Sequence, residues 1–349
     1  MTNTAAPLIV AVNAGSSSLK VAAYGEATDA PAFSRGVQAG TGAPWLIAWL
    51  TKTVGRKSVC LIGHRIVASR PGPPIEEVTP SLLAALHKAA SDDPIHLPAQ
   101  LALIVAVAAA LPRARQFVCS DSAFHSTIPP AGRHLPLPRR FDDVGIERIG
   151  FHGLSCASVV AQLWKTIGYK ATAGRLIIAH LGSGASVTAV LNCESRDTSM
   201  GFSPDGGLMM ASRPGDLDPG VLLAILRRGQ HSTEQLSHLI ASESGLLGRA
   251  GDTGDLRVLL AREATDPVAA EAIEMFCRSA ARAIAGAATT IGGIDILVFT
   301  GGVGEHLPEI RARICAALAF LPPMTVLVIA ADEEQVIATL VRQHCNATP

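Results

Sequence analysis

Hydrophobic and polar positions form repeated blocks along this chain, and the first block is the clearest. Leu8 to Val12 is an apolar run short enough for a strand buried on both faces, and a polar turn at Gly15 to Ser18 connects it to a second strand ending at Tyr24. The same order recurs from Leu176 to Val190, where the turn contains Gly182 and Gly184. Because the same unit appears twice, the sequence predicts an internal duplication.

The remaining pattern predicts strands and helices in alternation, which is typical of an α/β fold. Further strands are predicted at 58–67, 116–120, 295–300 and 326–330, and helices at 45–54, 81–90, 99–111, 157–168, 221–228, 234–242, 267–290 and 332–342. We interpret 129–143 as a surface excursion, 197–220 as a long functional loop, 244–257 as a glycine-rich loop, and 301–305 as a third glycine turn that follows an apolar strand.

The glycine turns are candidate phosphate sites. A turn of Gly and Ser at the mouth of a hydrophobic sheet presents backbone N–H groups and hydroxyls to a phosphate or a metal-bound phosphate. An ordinary hairpin needs the same residues, so a single turn would favour the structural reading. Two matching turns favour a nucleotide held between two related domains.

Composition narrows the function further. The chain has 349 residues, enough for two domains, and 29 basic residues balance 29 acidic ones. We therefore expect neither nucleic acid nor a membrane surface as a partner. The seven cysteines form no CxxC pair and no zinc-ligand spacing, and the longest apolar run, Leu101 to Leu111, is too short to span a bilayer. We expect a cytoplasmic protein with reduced thiols.

Eight blocks of the sequence resemble the acetate and propionate kinases, in the family's own order and across nearly the whole chain. They are NAGSSSLK (13–20), SDSAFHSTIP (120–129), GFHG (150–153), HLGSGAS (180–186), DTSMGFSP (197–204), GLMMASRPGDLDP (207–219), FTGGVGE (299–305) and DEEQVIA (332–338). Several such matches in register are a far more specific signal than one glycine loop.

The resemblance implies the fold of the actin, hexokinase and Hsp70 superfamily, an α/β fold of duplicated RNase H-like domains with the active site in an interdomain cleft. The N-terminal domain would span 1–148 and be completed by the C-terminal helix at 331–349. The second domain, at 149–330, would bind nucleotide and form a homodimer. Relatives of this kind transfer the γ-phosphoryl group of ATP to a short-chain carboxylate such as acetate, reversibly, giving an acyl phosphate and ADP.

This reaction brings an anionic carboxylate to an anionic phosphoryl group, so fixed cations have to offset the repulsion. Arg65 and Arg213 match the family's two essential arginines, and guanidinium groups hold such oxygens bidentately. His152 matches the histidine that donates to the transferring phosphoryl group, and Asp121 completes the catalytic set. By itself, each of these residues would more often be a surface ion pair or a satisfied polar group.

The resemblance also assigns residues to ligands. Asn13 and Glu333, with Asp121 nearby, would organise Mg²⁺, with Mn²⁺ as an alternative ion. Arg65, Val67, Ile95, Phe151 and Pro204 would meet the carboxylate substrate. His96 matches an active-site position of undefined role, whereas His64 and His125 are interpreted as structural. The predicted nucleotide-binding residues are Lys20, His180, Leu181, Gly182, Ser183, Gly184, Asp255, Leu256, Arg257, Gly302, Val303, Gly304, Glu305 and His306.

Several positions depart from the family pattern. HRIVASR (64–70) replaces HRVVHGG, Ser183 replaces an asparagine, Cys156 replaces a histidine, and His306 ends the GEN motif. The segment from Gly25 to Thr41 is also shorter than in the family. These changes touch the nucleotide loop and the rim of the first domain, while the charged catalytic residues are all present.

The sequence therefore predicts an Mg²⁺-dependent acetate kinase-type enzyme of organic acid metabolism. Propionate or butyrate kinase is the alternative within enzymes, since one methylene changes selectivity by only about 1 to 3 kcal/mol. A non-catalytic nucleotide-binding switch of the same fold is the alternative from another class. Such a binder would have no need for both arginines.

Overall fold

The computed structural model describes residues 8–15, 18–25, 30–38, 42–54, 59–68, 72–90, 97–229 and 231–347. The chain folds into two units, each built around one sheet. Unit 1 contains Met1–Phe124, Gly153–Ser158 and Asp332–Pro349, and unit 2 contains His125–His152 and Val159–Ala331. The domain boundaries at 148 and 331 stay a prediction.

The sheet of unit 1 has six strands in the order β3-β2-β1-β4-β6-β5. The strands are β1 (Leu8–Ala14), β2 (Ser18–Tyr24), β3 (Phe33–Gln38), β4 (Val59–Ile66), β5 (Ile75–Glu77) and β6 (Arg115–Ser120). Strands β1, β4 and β6 are parallel, whereas β2 pairs antiparallel with both β1 and β3. The apolar runs of β1 and β4 are buried because other elements cover both faces of this part of the sheet.

Helices pack on both faces of this sheet. They are α1 (Gly42–Trp49), which continues as a π-helical turn at Leu50–Val54, α2 (Pro80–Ala89), α3 (Leu97–Ala110) and, near the C-terminus, α14 (Glu333–Ala347). Leu46 and Val107 pack with Val10 on one face, whereas Ile337 of α14 packs with Ile9 and Ala11 on the other. The C-terminal helix therefore completes the core of the N-terminal sheet.

The sheet of unit 2 has five strands in the order β11-β10-β7-β8-β9. The strands are β7 (Leu176–Leu181), β8 (Ala185–Leu191), β9 (Glu194–Thr198), β10 (Ile296–Thr300) and β11 (Thr325–Val328). Strands β7 and β10 are parallel, whereas β8 pairs antiparallel with β7 and β9. The order β9-β8-β7-β10-β11 reproduces β3-β2-β1-β4-β6, with the same strand directions. The shared topology agrees with the duplication predicted from the two strand–turn–strand segments.

The helices of unit 2 include one long buried element. The set is α4 (Pro130–Arg133), α5 (Gly153–Ile167, whose first six residues group with unit 1), α6 (Tyr169–Thr172), α7 (Pro219–Arg227), α8 (Thr233–Ser242), α9 (Gly245–Ala250), α10 (Leu256–Arg262), α11 (Pro267–Ile291), α12 (Gly301–His306) and α13 (Pro308–Ala317). Helix α11 begins where Asp266 caps the N–H groups of Val268 and Ala269, and it ends at Gly292, whose φ of +74° is left-handed. Its apolar face covers the sheet of unit 2.

Three predictions about local structure were wrong. The segment 244–257 is only partly a loop, because Gly245–Ala250 form α9 and α10 begins at Leu256, which leaves 251–255 as the irregular part. The segment 301–305 belongs to the helix α12 rather than to a turn, and Glu305 Oε1 accepts the N–H of Gly301 at 3.0 Å. Helix α5 begins at Gly153, four residues before the predicted start. Within the described ranges, no helix combines the length and apolarity that crossing a bilayer requires.

Candidate active site

The site residues that the sequence predicts form two clusters, one in each unit. In unit 1, Asn13 lies near the end of β1, Arg65 near the end of the parallel strand β4, and Asp121 directly after β6. Because the carboxyl ends of parallel strands lie at one edge of a sheet, the fold brings these three side chains together. Glu333, at the first position of α14, joins them.

Arg65 is the centre of the unit 1 cluster. Its Nη1 donates to Asn13 Oδ1 and to Glu333 Oε2, both at 3.1 Å, and its Nη2 donates to Asp121 Oδ2 at 2.9 Å. Only 9% of Arg65 and 1% of Asp121 are exposed, so these are buried ion pairs. Burial alone would lower the pKa of Arg65, but the carboxylates of Asp121 and Glu333 raise it above its ordinary value. The guanidinium is therefore a permanent positive charge.

Two further residues support this cluster and were missed in the sequence. Asn13 Nδ2 donates to Glu334 Oε1 as well as to Glu333 Oε2, at 2.6 Å in each case. Gln100 of α3 donates to the carbonyl of Ala14 and accepts the N–H of Val67, both at 3.0 Å, and so joins the ends of β1 and β4. Glu334 had a signal in the paired acids of DEEQVIA, whereas Gln100 had none.

The donor set of unit 1 is suited to a hard cation. All the acceptors are carboxylate or amide oxygens, which Mg²⁺ prefers, and Mg²⁺ needs only one or two carboxylates besides substrate phosphate oxygens. Burial raises the pKa of Glu334 above its usual value, so a nearby cation would stabilise its charged form. Across the described ranges, no group of three or more His, Cys, Asp or Glu is arranged as a complete metal cage.

Unit 2 brings His152, His180 and Arg213 around the turn between β7 and β8. His152 precedes α5 with a left-handed backbone (φ 58°, ψ 25°), a conformation that costs a non-glycine residue roughly 1 to 2 kcal/mol. Its Nδ1 lies 3.0 Å from Ser186 Oγ, and its ring stacks on His180 with centroids 4.0 Å apart. Strained backbone of this kind is concentrated at functional sites.

The side chains of Arg213 and His152 both approach Gly184 closely. A Cβ atom built on Gly184 would lie 2.6 Å from Arg213 Nη2 and 3.2 Å from His152 Nε2. Any larger residue would therefore displace both groups. Arg213 is itself 6% exposed and donates from Nη1 to the carbonyl of Pro204 at 2.8 Å.

The turn that carries Arg213 is held by backbone contacts. Met210 N–H donates to the Arg213 carbonyl at 2.9 Å, and Ala211 N–H donates to the Ser183 carbonyl at 3.1 Å. Gly245, with φ +61°, passes so close that a Cβ there would lie 2.3 Å from the Met210 carbonyl oxygen. The long loop at 197–220 is thus ordered by specific contacts, as its Met content suggested.

The predicted nucleotide residues are distributed over both units. His180 and Leu181 end β7, Gly182 to Gly184 form the β7–β8 turn, and Gly302 to His306 lie in α12, which packs against β7. Asp255 caps α10 and pairs with Arg257, whereas Leu256 is 2% exposed and packs in the core. Lys20 is exposed on β2 in unit 1, opposite Asn13. Their contact with nucleotide stays a prediction.

The predicted acyl-binding residues are buried where the structure describes them. Val67, Phe151 and Pro204 are all buried, whereas Ile95 and His96 lie outside the described residues. His125 Nε2 donates to the Phe151 carbonyl at 2.8 Å, and His125 Nδ1 forms a hydrogen bond with Ser195 Oγ at 3.0 Å, in agreement with its structural interpretation. His64, bonded to Gln116 at 2.7 Å, is buried in the same manner.

Comparisons with known proteins identify the family of this chain. The model of the acetokinase family matches residues 46–341. The chain belongs to the acetokinase family. It is 42% identical over 279 residues to an acetate kinase of Rhodopseudomonas palustris (strain TIE-1), covering 79% of this chain and 69% of the relative. The family membership confirms the prediction of an acetate kinase-type enzyme.

Solved structures show the same fold. A propionate kinase from Francisella tularensis superposes with a TM-score of 0.88 at 27% identity, covering 97% of this chain and 99% of that one. An acetate kinase from Porphyromonas gingivalis gives a TM-score of 0.83 at 28% identity, with the same coverage of both chains. These similarities confirm the predicted α/β fold of duplicated RNase H-like domains.

Proposed function

We propose that this protein phosphorylates acetate with ATP, reversibly, by direct transfer of the γ-phosphoryl group to the carboxylate. One observation carries the proposal: Arg213 Nη2 and His152 Nε2 converge on Gly184, where no side chain separates them. A guanidinium and an imidazole so placed suit the equatorial oxygens of a phosphoryl group in transfer, where charge has to be stabilised.

The unit 1 cluster supplies the second part of the proposal. Arg65 would hold the acetate carboxylate, and Asp121 would orient the guanidinium through their 2.9 Å ion pair. No general base is required, because acetate carries no proton at neutral pH. We propose that Arg65 and Arg213 act in the same step, each offsetting part of the repulsion between the two anions.

Mg²⁺ would be held by Asn13 and Glu333, with the phosphate oxygens of ATP completing its coordination. When bound, the ion neutralises charge that develops on the phosphates. Asn13 Nδ2 and Arg65 keep Glu333 Oε2 fixed by bonds of 2.6 and 3.1 Å, so the carboxylate is already oriented. Mn²⁺, which also prefers oxygen ligands, is the alternative ion for this site.

We also propose that the protein is a cytoplasmic homodimer. Six cysteines are free thiols, which a reducing compartment preserves: Cys119, Cys156, Cys193, Cys277, Cys315 and Cys345. Size-exclusion chromatography with light scattering would measure the oligomeric state. A monomer at micromolar concentration would contradict the dimer and leave the catalytic proposal unchanged.

Propionate is the second candidate substrate, because a propionate kinase shares the fold with a TM-score of 0.88. One assay distinguishes the candidates: hydroxylamine trapping of acyl phosphate formed from ATP, Mg²⁺ and acetate, propionate or butyrate. We expect the highest kcat/KM with acetate. A higher kcat/KM with propionate would make propionate the substrate in place of acetate. If none of the three acids gave a product, the result would favour a non-catalytic nucleotide-binding switch.

The Arg213→Ala variant tests the assigned mechanism. We expect turnover to fall by at least about 100-fold, because one preorganised donor to a developing anion contributes that much. Calorimetric titration with ADP would check that nucleotide binding persists. A variant that retains most of its turnover would remove Arg213 from the mechanism.

A further inference from the structure

Unit 2 contains a cavity of about 900 Å³ that lies apart from the proposed catalytic side chains. Its walls come from β8 and β9, the loop that follows them, α9 and one face of α11. We call it the arginine cavity, because Arg148, Arg249, Arg278 and Arg282 line it. None of Arg213, His152 and His180 belongs to its lining.

Arg278 and Arg282 make this cavity unusual. They are four residues apart on α11, so both side chains lie on the same face of the helix, and both line the cavity. Within the described part of the chain, neither guanidinium has an ion-pair or hydrogen-bond partner. Like charges at this spacing destabilise a helix, so a ligand that neutralises both would relieve a repulsion.

The other charged groups of the lining are already engaged. Asp216 accepts the N–H of Gly207 at 2.7 Å, and Glu243 is bonded to His238 at 2.9 Å. Asp197 accepts the N–H of Thr198 at 2.8 Å. The remaining two arginines are bonded as well: Arg148 donates to backbone carbonyls and pairs with Asp197 at 3.9 Å, and Arg249 pairs with Glu271. The lining thus contains four guanidinium groups and three carboxylates, and among the described residues Arg278 and Arg282 are the guanidinium groups of the lining that have no partner.

The wall of the cavity also supports the turn that carries Arg213. Ser279, between the two arginines on α11, accepts the N–H of Met209 at 2.8 Å. Ser244, which lines the cavity, donates its N–H to the Ser212 carbonyl at 2.9 Å. A molecule bound to this wall would contact the residues that hold the Arg213 turn.

We propose that the arginine cavity binds a small dicarboxylate, with one carboxylate on Arg278 and the other on Arg282. Four helical residues advance about 6 Å along the axis, which suits a four-carbon dicarboxylate such as succinate. Each guanidinium can hold one carboxylate bidentately. Such a ligand differs from the monocarboxylate substrate, and its binding would alter turnover through Ser279, Met209 and Arg213.

The test is isothermal titration of the full-length protein with succinate, without ATP or Mg²⁺, so it does not depend on the proposed reaction. The double variant Arg278→Gln/Arg282→Gln keeps good helix formers at both exposed positions. The matched control, Arg227→Gln/Arg228→Gln, removes the same charge from two exposed residues at the end of α7, outside the cavity. Circular dichroism and thermal unfolding would check that both variants fold.

We expect the parent and the control to bind succinate equally, and the double variant to bind it at least about tenfold more weakly, because two charge-assisted contacts are lost. Either single variant should give an intermediate loss, which keeps the test usable if the double variant does not fold. In acetate phosphorylation, succinate should change the kcat of parent and control but not that of the double variant. Basal turnover should be alike in all three.

Several outcomes would overturn the proposal. Undetectable binding to the parent would do so, as would equal weakening in the double variant and the control, which would indicate a general charge effect. Loss of binding in Arg65→Ala would assign succinate to the substrate site instead. An altered oligomeric state in the double variant, with no succinate bound by the parent, would make this cavity a subunit contact. If succinate binds to the parent but leaves kcat unchanged, the cavity is a binding site and its proposed connection to Arg213 is refuted.

Discussion

The Nδ1 atom of His152 lies 3.0 Å from the Oγ atom of Ser186, and this contact fixes the orientation of the imidazole. Ser186 is fully buried on β8, so bulk water does not compete with His152 for its hydroxyl group. With Nδ1 engaged and the ring stacked on His180, Nε2 is left directed towards Gly184 and Arg213. Ser186 is therefore a positioning residue for the proposed phosphoryl donor contact.

We expect Ser186→Ala to lower kcat by roughly tenfold, because His152 loses its fixed orientation while its proton-donating nitrogen remains. The KM for ATP should change by less than about twofold, since Ser186 makes no contact with nucleotide in the proposed mechanism. Steady-state kinetics would separate the two parameters.

The control is Thr188→Val, two residues along the same strand. It removes a similar buried contact, Thr188 Oγ1 to Thr198 Oγ1 at 3.1 Å, away from His152. If both variants lose the same activity, the effect is one of general packing in β8.

Gly184→Ala tests the close approach at the β7–β8 turn. A methyl group there would displace Arg213 Nη2, which lies 2.6 Å from the Cβ position, and we expect kcat to fall by at least about tenfold with acetate. Gly201→Ala serves as the control, since a Cβ at Gly201 meets nothing within 4 Å. Normal turnover in Gly184→Ala would mean that the two groups need not meet there.

Arg65→Ala should destabilise the protein as well as inactivate it. Its removal leaves Asp121 and Glu333 as buried carboxylates without their ion-pair partner, so we expect the free energy of unfolding to fall by about 3 kcal/mol. Urea denaturation would measure the change. Arg115→Ala breaks an exposed pair with Glu77 and should cost no more than about 1 kcal/mol. Equal costs for the two variants would contradict the burial argument.

Glu334→Gln should weaken metal activation without loss of stability. Burial raises the pKa of Glu334, so the charged carboxylate is unfavourable in the free protein and a neutral amide is tolerated there. We expect the Mg²⁺ concentration for half-maximal turnover to rise several-fold, because a negative charge beside Glu333 is lost. An unchanged Mg²⁺ requirement would exclude Glu334 from the metal site.

The strand–turn–strand repeat could be predicted because buried strands are uniformly apolar. Strands β1 and β7 are covered on both faces, and their Leu, Ile, Val and Ala content indicates this directly. The edge strand β3, FSRGVQ, was not predicted, since its polar residues resemble a loop until a neighbouring strand supplies hydrogen bonds. Strands β5 and β9 were missed for the same reason.

Helix α12 was mistaken for a turn because its local sequence is rich in glycine, a poor helix former. The following helix supports it: Arg311 Nη1 of α13 donates to the carbonyls of Gly304 and Glu305, at 2.9 and 3.0 Å. Residue propensities alone contain no information about a hydrogen bond donated by the side chain of the next helix.

The candidate site was predicted unevenly. The motifs identify Arg65, Asp121 and Glu333, and the fold explains their meeting through parallel strand ends. Ser186 belongs to the motif HLGSGAS, but its role depends on its hydrogen bond to His152, which the sequence does not reveal. The arginine cavity had no signal in the sequence, because elements far apart in the chain line it.

His64 makes the stability of unit 1 depend on pH. Burial lowers the pKa of His64 from 6.5 to about 4, and its Nε2 contact with Gln116 does not compensate. Above pH 6.5 the imidazole is neutral in both folded and unfolded protein. Between pH 6.5 and 4 only the unfolded chain takes up the proton, so the free energy of unfolding falls as the pH falls, by roughly 3 kcal/mol across this window.

We expect His64→Gln to remove this component, because glutamine does not titrate and its amide can still donate to Gln116. Urea denaturation at pH 7, 6 and 5 would give the free energies of both proteins. The difference between parent and variant should shift in favour of the variant as the pH decreases from 7 to 5, since the other histidines contribute equally to both. A difference that stays constant with pH would mean that His64 is protonated in the folded protein, and that the interior around β4 admits a charge.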